Sequence, residues 1–431
     1  MERVLSGELR PLAGERVRLA GWLHHRRRLS RITFVLLRDR GGLAQVVVED
    51  PGAVAEIAAL LPETVLEVEG TVAENEQAPG GVELRDPLFR VVSEAAAPPP
   101  VELRRPVLKE QLPTILDHAA VSLRHPRLRA GFRLAAASTR AFRTALDGLG
   151  FTEIQTPKIV ASATESGANL FAVDYFGRPA FLAQSPQFYK QTMVGVFERV
   201  YEVGPVFRAE PHETARHLAE YVSLDAELGF IHDHHDVMRV LRTAVAAMAD
   251  AVAGDRGAAE LGLPQLVVPE EIPSIHFAEA LELLVRETGE ALEDELDLAP
   301  AHERLLCAWS EREHGSEFLF VTGFPLAKRP FYTHPQPGRP EFTNSFDLLF
   351  RGLEIVTGGQ RLHRYEDYVA ALGRAGEPLE PYAGYLEAFR HGMPPHGGFA
   401  LGLERWVARL VGAANVRETT LFPRDRSRLS P

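Results

Sequence analysis

Gln184-Ser185-Pro186-Gln187-Phe188-Tyr189-Lys190-Gln191 is followed by Val200-Tyr201-Glu202-Val203-Gly204-Pro205-Val206-Phe207-Arg208-Ala209-Glu210 and by Tyr221-Val222-Ser223-Leu224-Asp225. The last two segments are rich in β-branched and aromatic residues and read as two strands. The polar loop between them, Pro211 to Ala219, carries His212, Arg216 and His217. Arg208 ends the first strand, Glu210 opens the loop, and Asp225 lies on the second strand. A guanidinium beside a carboxylate at a loop mouth suits a nucleotide, because Arg binds a phosphate oxygen bidentately and Glu accepts from an exocyclic amine. For any one of these residues a charged hairpin on a solvated face is the bland alternative. The whole constellation is harder to dismiss.

The chain has 431 residues, long enough for two domains. Its 45% hydrophobic and 25% charged residues are those of a soluble globular protein. No apolar run is long enough to span a bilayer, and Met1-Glu2-Arg3-Val4 opens no apolar signal segment, so a cytoplasmic protein without a membrane partner is expected. Cys307 is the only cysteine, which excludes an internal disulfide and a cysteine-built zinc site. The net charge of −12 argues against indiscriminate nucleic-acid binding but allows a local basic patch. Lysine occurs only at Lys109, Lys158, Lys190 and Lys328; in so arginine-biased a chain, a lysine within a motif hints that a compact ammonium is wanted there.

Before about residue 98, short alternating apolar runs from Val17, Ile32, Leu43 and Val65 are separated by turns such as Asp39-Arg40-Gly41-Gly42. This pattern fits a small β-barrel, of which the oligonucleotide-binding (OB) barrel is a common form. The basic cluster His24-His25-Arg26-Arg27-Arg28, with Arg31, is expected between the first two strands, next to Phe34. Cations beside an aromatic provide phosphate attraction plus base stacking, the latter worth roughly 1–3 kcal/mol per base, although a solvated basic turn has the same composition. Ala95-Ala96-Ala97-Pro98-Pro99-Pro100 forms a stiff linker.

The chain beyond about residue 124 opens with a helical apolar stripe that includes Phe132, Phe142 and Leu146 and ends at Gly148 and Gly150. Thr164-Glu165-Ser166-Gly167-Ala168-Asn169 is a small polar loop suited to movement over a site. His232-Asp233-His234-His235-Asp236 reads as an exposed helix start rather than a metal site. The run from Asn344 to Arg361 reads as a hairpin turning at Arg351-Gly352, with Leu349 opposite Glu354 and Phe350 opposite Leu353. Asp347 and Glu354 then share a sheet face and Thr357 lies on the other. Two neighbouring carboxylates repel unless a cation lies between them, and Mg2+ held with triphosphate oxygens fits. Gly397-Gly398-Phe399-Ala400-Leu401-Gly402-Leu403-Glu404-Arg405 is a glycine-bearing strand running into a helix. Gly402 permits close approach to the backbone, and Arg405 stands at the helix start, placed for an anion. No Walker loop or dinucleotide fingerprint is present, which excludes a Rossmann-type synthetase.

These segments together resemble class II (subclass IIb) aminoacyl-tRNA synthetases of the aspartate branch, in their compact archaeal-type form. The resemblance implies an α+β chain: an OB-fold anticodon-binding domain over residues 1–98, a hinge over 99–123, and a class II catalytic domain, an antiparallel sheet flanked by helices, over 124–431. It further implies attachment of L-aspartate to tRNA(Asp) through an aspartyl-adenylate, with ATP and Mg2+ as cofactors and a homodimer built on the first class II motif. Aspartate would be held by Glu165, Ser185, Gln187, Lys190, Asp225 and Arg361. ATP would contact Arg208, Glu210, Arg216, His217, Tyr221, Glu354, Gly402 and Arg405, with Arg208 and Arg405 as catalytic cations. Asp347, Glu354 and Thr357 would hold the metal. In the barrel, Arg27, Phe34 and Gln45 would contact the central anticodon base.

Lys190 marks the aspartate rather than the asparagine enzyme, since a buried ammonium left facing a neutral amide is costly. The anticodons for aspartate and asparagine differ only at their third base, and relaxed members of the family carry His and Pro near it. Here these are His24 and Pro79. Proline has no N–H to donate to a base edge, so charging of tRNA(Asn) as well is expected, followed by amidation on a separate amidotransferase. The open alternatives are a strictly discriminating aspartyl enzyme, an asparaginyl enzyme, a tRNA-independent asparagine-forming ligase, and a barrel RNA-binder with an inactive synthetase body.

Overall fold

A computed structural model of the chain describes residues 1–162, 170–211, 213–292 and 295–430. The chain divides into two compact units, Met1–Arg129 and Ala130–Pro431. In the first, alternating apolar residues build five strands: β1 (Arg16–Leu29), β2 (Ile32–Asp39), β3 (Gly42–Val48), β4 (Val65–Glu74) and β5 (Val82–Ser93). They close into a barrel in the order β1-β2-β3-β5-β4, sealed by a parallel β3–β5 pairing. Alternation sends Val17, Leu19, Val35, Leu37, Val46 and Leu66 inward to the core. The helix Pro51–Ala59 starts on Asp50, whose carboxylate accepts from the Ala53 N–H at 2.8 Å.

The basic cluster lies on β1 rather than between strands. Arg26 pairs with Val35 and Arg27 with Phe34, so the hairpin turns only at Ser30 and Arg31. His25, Arg26, Arg27 and Arg28 each have a partner on β2, so the strand runs on through the cluster. His24 is the one residue passed over, at a bulge where the register shifts between Leu23 and His25.

The second unit is organised on an eight-stranded sheet built from β6 (Thr152–Glu153), β10 (Arg199–Phe207), β11 (Glu220–Gly229), β12 (Ser274–His276), β13 (Phe318–Thr322), β16 (Ser345–Phe350), β17 (Leu353–Gln360) and β18 (His396–Gly402). Its order is β12-β13-β16-β17-β18-β11-β10-β6. All pairings are antiparallel except β12–β13 and β6–β10 at the two edges. The smaller strands β7 (Ile159–Val160), β8 (Ala172–Tyr175) and β9 (Arg178–Leu182) form a three-stranded sheet, and β14 (Pro335–Gln336) pairs with β15 (Arg339–Thr343). The main core joins Leu134 and Phe142 of the Pro126–Gly148 helix, Leu241 and Val245 of the His234–Ala253 helix, and Trp406 of the Leu403–Val411 helix to the sheet. The Trp406 indole N–H donates to Ser138 Oγ at 3.0 Å, fixing the helix that carries Arg405. Among the described residues, no helix is long and apolar enough to cross a membrane.

The β16–β17 hairpin turns at Arg351 (φ 46°) and Gly352 (φ 78°), the positive pair that a tight two-residue hairpin turn requires. Leu349 faces Glu354 and Phe350 faces Leu353, as the sequence predicts. The register then slips: Leu348 faces Val356, which leaves Ile355 as an extra residue, and Asp347 faces Thr357. This bulge corrects the expected placement of Thr357. An extra residue reverses the alternation beyond it, so Thr357 comes to the face of Asp347.

Candidate active site

One end of the candidate site is a buried cluster of charge. The helix Gln187–Phe197 directs Lys190 into the sheet, where it is only 1% exposed. Its ammonium donates to Asp225 Oδ1 at 3.0 Å and to the Phe399 carbonyl at 3.0 Å, with Glu227 Oε2 at 3.4 Å. Arg361, at the end of β17, donates through Nε to Glu227 Oε1 and through Nη2 to the Gly398 carbonyl, both at 3.0 Å. Asp225 and Glu227 alternate on β11 and thus share a face. Two cations and two carboxylates therefore balance in a site closed to water. Asp225, expected at a substrate ammonium, bonds to Lys190 in the ligand-free protein.

Glu227 was missed by the sequence reading, although its spacing two residues after Asp225 on a buried strand was a usable signal. Burial drives its carboxyl upward, but Arg361, Lys190 and His396 outweigh that and hold it below the ordinary glutamate range. A Cβ on Gly398 would lie 2.1 Å from Glu227 Oε2, so this position has to be glycine. Beyond Arg361, His396 Nε2 lies 3.2 Å from Gln191 Oε1, which also accepts from the Tyr368 and Tyr385 hydroxyls at 2.9 and 2.7 Å. Burial pushes the His396 imidazole down to about 4. Ser185 Oγ accepts from the Gln187 N–H at 3.2 Å, and the buried Gln187 side-chain nitrogen has no acceptor among the described residues. A buried donor of that kind fits a pocket completed by a polar ligand. Glu165 lies outside the described residues.

A second cluster surrounds the hairpin. Thr357 Oγ1 donates to Glu354 Oε1 at 3.2 Å, and Arg329 Nη2 donates to Asp347 Oδ1 at 2.8 Å. Arg405 lies 3.4 Å from Glu354 Oε1 and donates to the Glu354 carbonyl. Burial, with Glu354 beside it, raises the Asp347 carboxyl to about 7 against the pull of Arg329. Glu354 is pushed up by burial too, yet Arg405, Arg216 and Arg329 together hold it low. Adjacent carboxylates and a hydroxyl on one sheet face make a hard oxygen donor set that fits Mg2+.

Arg216 Nη2 donates to both oxygens of the buried Glu303, at 2.7 and 2.9 Å, and Glu303 Oε2 accepts from the Glu354 backbone N–H at 2.9 Å. Neither Glu303 nor Arg329 was identified from sequence, because each comes from a segment distant in the chain with no local pattern to mark it. Arg208 lies over the Tyr221 ring at 5.9 Å, next to Glu210 at the loop mouth. His217 Nδ1 is 2.7 Å from Thr214 Oγ1 in the same loop. A Cβ on Gly402 would meet nothing closer than Arg405 at 3.9 Å. The protein's own packing therefore does not require glycine there, and room is left above the strand end.

On the barrel, Arg27 lies over Phe34 at 5.6 Å, and Gln45 pairs with Leu36, two residues along the same outer face. The Gln45 amide donates to Glu83 Oε2 at 2.9 Å, and Asn75 of the Pro79 loop donates to the same oxygen at 2.7 Å. His24 is 8% exposed and its Nδ1 lies 3.2 Å from Arg38, which is paired bidentately with Glu63. His24 is thus packed against the Arg38–Glu63 pair.

A mainly antiparallel sheet with Asp225 and Glu354 on its strands, Arg208 just past a strand end and Arg405 on the helix that follows β18, joined in sequence to an OB barrel, defines a class II aminoacyl-tRNA synthetase. The chain belongs to that family: residues 111–426 match the class II tRNA synthetases (D, K and N), and residues 17–92 match the OB-fold nucleic acid binding domain. It is 48% identical to the aspartate–tRNA(Asp/Asn) ligase of Thermus thermophilus over the whole of both chains. It is 44% identical to the ligase of the same name from Aeropyrum pernix, over 97% of this chain and 96% of that one. Among solved structures, the asparaginyl-tRNA synthetase of Pyrococcus horikoshii with asparaginyl-adenylate superposes with a TM-score of 0.93 at 30% identity, covering all of both chains. The aspartyl-tRNA synthetase of Entamoeba histolytica gives 0.88 at 29% identity, covering all of this chain and 93% of that one.

The buried quartet carries a stability prediction. Glu227→Ala leaves two buried cations sharing one carboxylate and should destabilise the protein by about 3–5 kcal/mol. A thermal or urea unfolding transition checks this, and an unchanged midpoint would show that the charges are not coupled.

Proposed function

We propose that the protein is an AMP-forming aspartate–tRNA ligase that attaches L-aspartate to tRNA(Asp) and to tRNA(Asn). The observation that carries this reading is the pair of buried cations, Lys190 and Arg361, at the amino-acid end of the site. Their N–H groups match a side-chain carboxylate, which only accepts; the amide of asparagine would turn donors toward donors. Ser185, Gln187 and Asp225 serve the α-amino end of the substrate, a role the family resemblance also gives to Glu165.

In the first step the aspartate α-carboxylate attacks the α-phosphorus of ATP and pyrophosphate leaves. In the second, the terminal hydroxyl of the tRNA attacks the adenylate carbonyl and AMP leaves. Neither step needs a nucleophile from the protein. Arg208 holds the α-phosphate, Arg405, Arg216 and His217 hold the outer phosphates, Glu210 reads the adenine amine, and Tyr221 stacks on its ring, so that positioning and charge neutralisation lower the barrier. Arg216 must exchange Glu303 for phosphate to do so. Mg2+, when bound, would neutralise the triphosphate, and Asp347, Glu354 and Thr357 are the residues that would hold it. Gly402 leaves space for the nucleotide.

The division of labour follows the chain: residues 1–98 bind the anticodon through Arg27, Phe34 and Gln45, residues 99–123 are the hinge, and residues 124–431 perform catalysis. The working form is a cytoplasmic homodimer built on the Pro126–Gly148 helix, and its Asp-tRNA(Asn) passes to an amidotransferase. With one cation removed, Lys190→Ala should lower kcat/KM for aspartate in ATP–pyrophosphate exchange by about 2–4 kcal/mol while ATP binding changes little. Aspartate activation that survived within a few-fold would overturn the assignment.

Relaxed tRNA choice is tested with the two unmodified transcripts, which should be charged with comparable kcat/KM. A hundredfold preference for tRNA(Asp) would refute it. Because His24 is buried, Pro79→Lys alone should shift selectivity toward tRNA(Asp) by about 10-fold or more, the worth of a restored contact to a base edge, whereas His24→Gln alone should shift it little.

A further inference from the structure

The carboxylates assigned to the metal are not equivalent in their protein partners. Glu354 is flanked by Arg405, a residue already assigned to phosphate, and by Thr357. Asp347, 7% exposed, is instead held by Arg329 at 2.8 Å, and no role has so far been given to that arginine. Arg329 follows a tight turn in which the Lys328 and Arg329 N–H groups donate back to Pro325 and Leu326, and which is pinned to the rest of the unit by the Pro325–Phe342 bridge. Its guanidinium lies 4.0 Å over the Phe324 ring, and its side chain is 12% exposed.

This guanidinium is held with one donor unspent. Its Nε is buried without an acceptor, and Asp347 is the only carboxylate paired with it among the described residues. A purely structural buried arginine normally has its donors satisfied. Arg329 instead has an aromatic face for the cation, one exchangeable carboxylate and an unspent donor. Those features suit a group that changes partners.

Resting on the metal reading given above, we propose that Arg329 is the built-in competitor of the metal at Asp347. In the nucleotide-free protein it supplies the positive charge at that carboxylate. When Mg2+ enters with ATP, the guanidinium yields Asp347 and turns its donors to a phosphate oxygen. Bare Mg2+ must displace Arg329 without compensation, whereas Mg2+ that arrives with triphosphate brings the arginine a new anionic partner. Arg329 thereby makes the site specific for the metal–nucleotide complex, a positioning and selectivity role distinct from that of Arg405.

The test uses Mn2+ as the probe, with binding to the full-length protein followed by electron paramagnetic resonance. Measurements are made at pH 8.5, above the raised range of the Asp347 carboxyl, with and without a non-hydrolysable ATP analogue. Arg329→Gln should bind Mn2+ at least about tenfold more tightly than wild type without nucleotide, since a charge-assisted competitor has been removed. With the analogue present that gain should vanish or reverse, and Arg329→Lys, which keeps the cation, should behave like wild type. If Arg329→Gln, with an unchanged unfolding transition, bound Mn2+ like wild type, Arg329 would be structural only. A gain of equal size with and without the analogue would overturn the transfer to phosphate. Asp347→Asn separates this proposal from the reading beneath it: it should abolish the Mn2+ signal, and a signal that persisted, or no Mn2+ bound by any variant, would refute the metal assignment itself.

Discussion

Two positive and two negative side chains buried within one sheet place a strong demand on everything around them. Lys190, Asp225, Glu227 and Arg361 are each under a tenth exposed, and removing any one would leave a charge that neither water nor the core can accommodate. The backbone is arranged to meet that demand. The Phe399 and Gly398 carbonyls of β18 accept from Lys190 and Arg361, Gly398 lacks the Cβ that would strike Glu227, and β11 presents both acids on one face. Gln191, Tyr368, Tyr385 and His396 form a hydrogen-bonded layer beside Arg361 that fixes the cluster from behind. On the proposed function, such a cluster recognises charge by preorganisation, because its dipoles and ions are in place before the substrate arrives.

The phosphate end works on a different principle. Its cations each rest on a single carboxylate partner: Arg216 on Glu303, Arg329 on Asp347, Arg405 on Glu354. A highly charged substrate entering with its counter-ion can displace such pairs at little net cost, since each protein ion gains a new partner as it loses the old one. On the proposed function, the rigid quartet chooses the amino acid and the exchangeable pairs accommodate the nucleotide.

Much of this was legible in the sequence because its signals are local. The Arg208–Glu210 pair at a strand end, the Arg351-Gly352 turn and the Gly402–Arg405 strand-to-helix junction are each read from a few adjacent residues, and each lies where it was expected. What escaped depends on contacts between distant segments or on small backbone irregularities. One extra residue at Ile355 brought Thr357 to the face of Asp347, and His24 is passed over at a bulge and buried. Glu303 and Arg329 carry no motif, and only the fold brings them to Arg216 and Asp347. Period-two alternation specifies which face a side chain takes only while the count remains unbroken.

Selection of a carboxylate over an amide by the buried quartet is tested most directly by ATP–pyrophosphate exchange with the wild-type protein, using L-aspartate and L-asparagine in separate reactions. Aspartate should support exchange, with kcat/KM for asparagine lower by about four orders of magnitude, as expected where a site of buried donors meets a ligand that cannot satisfy them. Exchange with asparagine at a rate comparable to that with aspartate would contradict it.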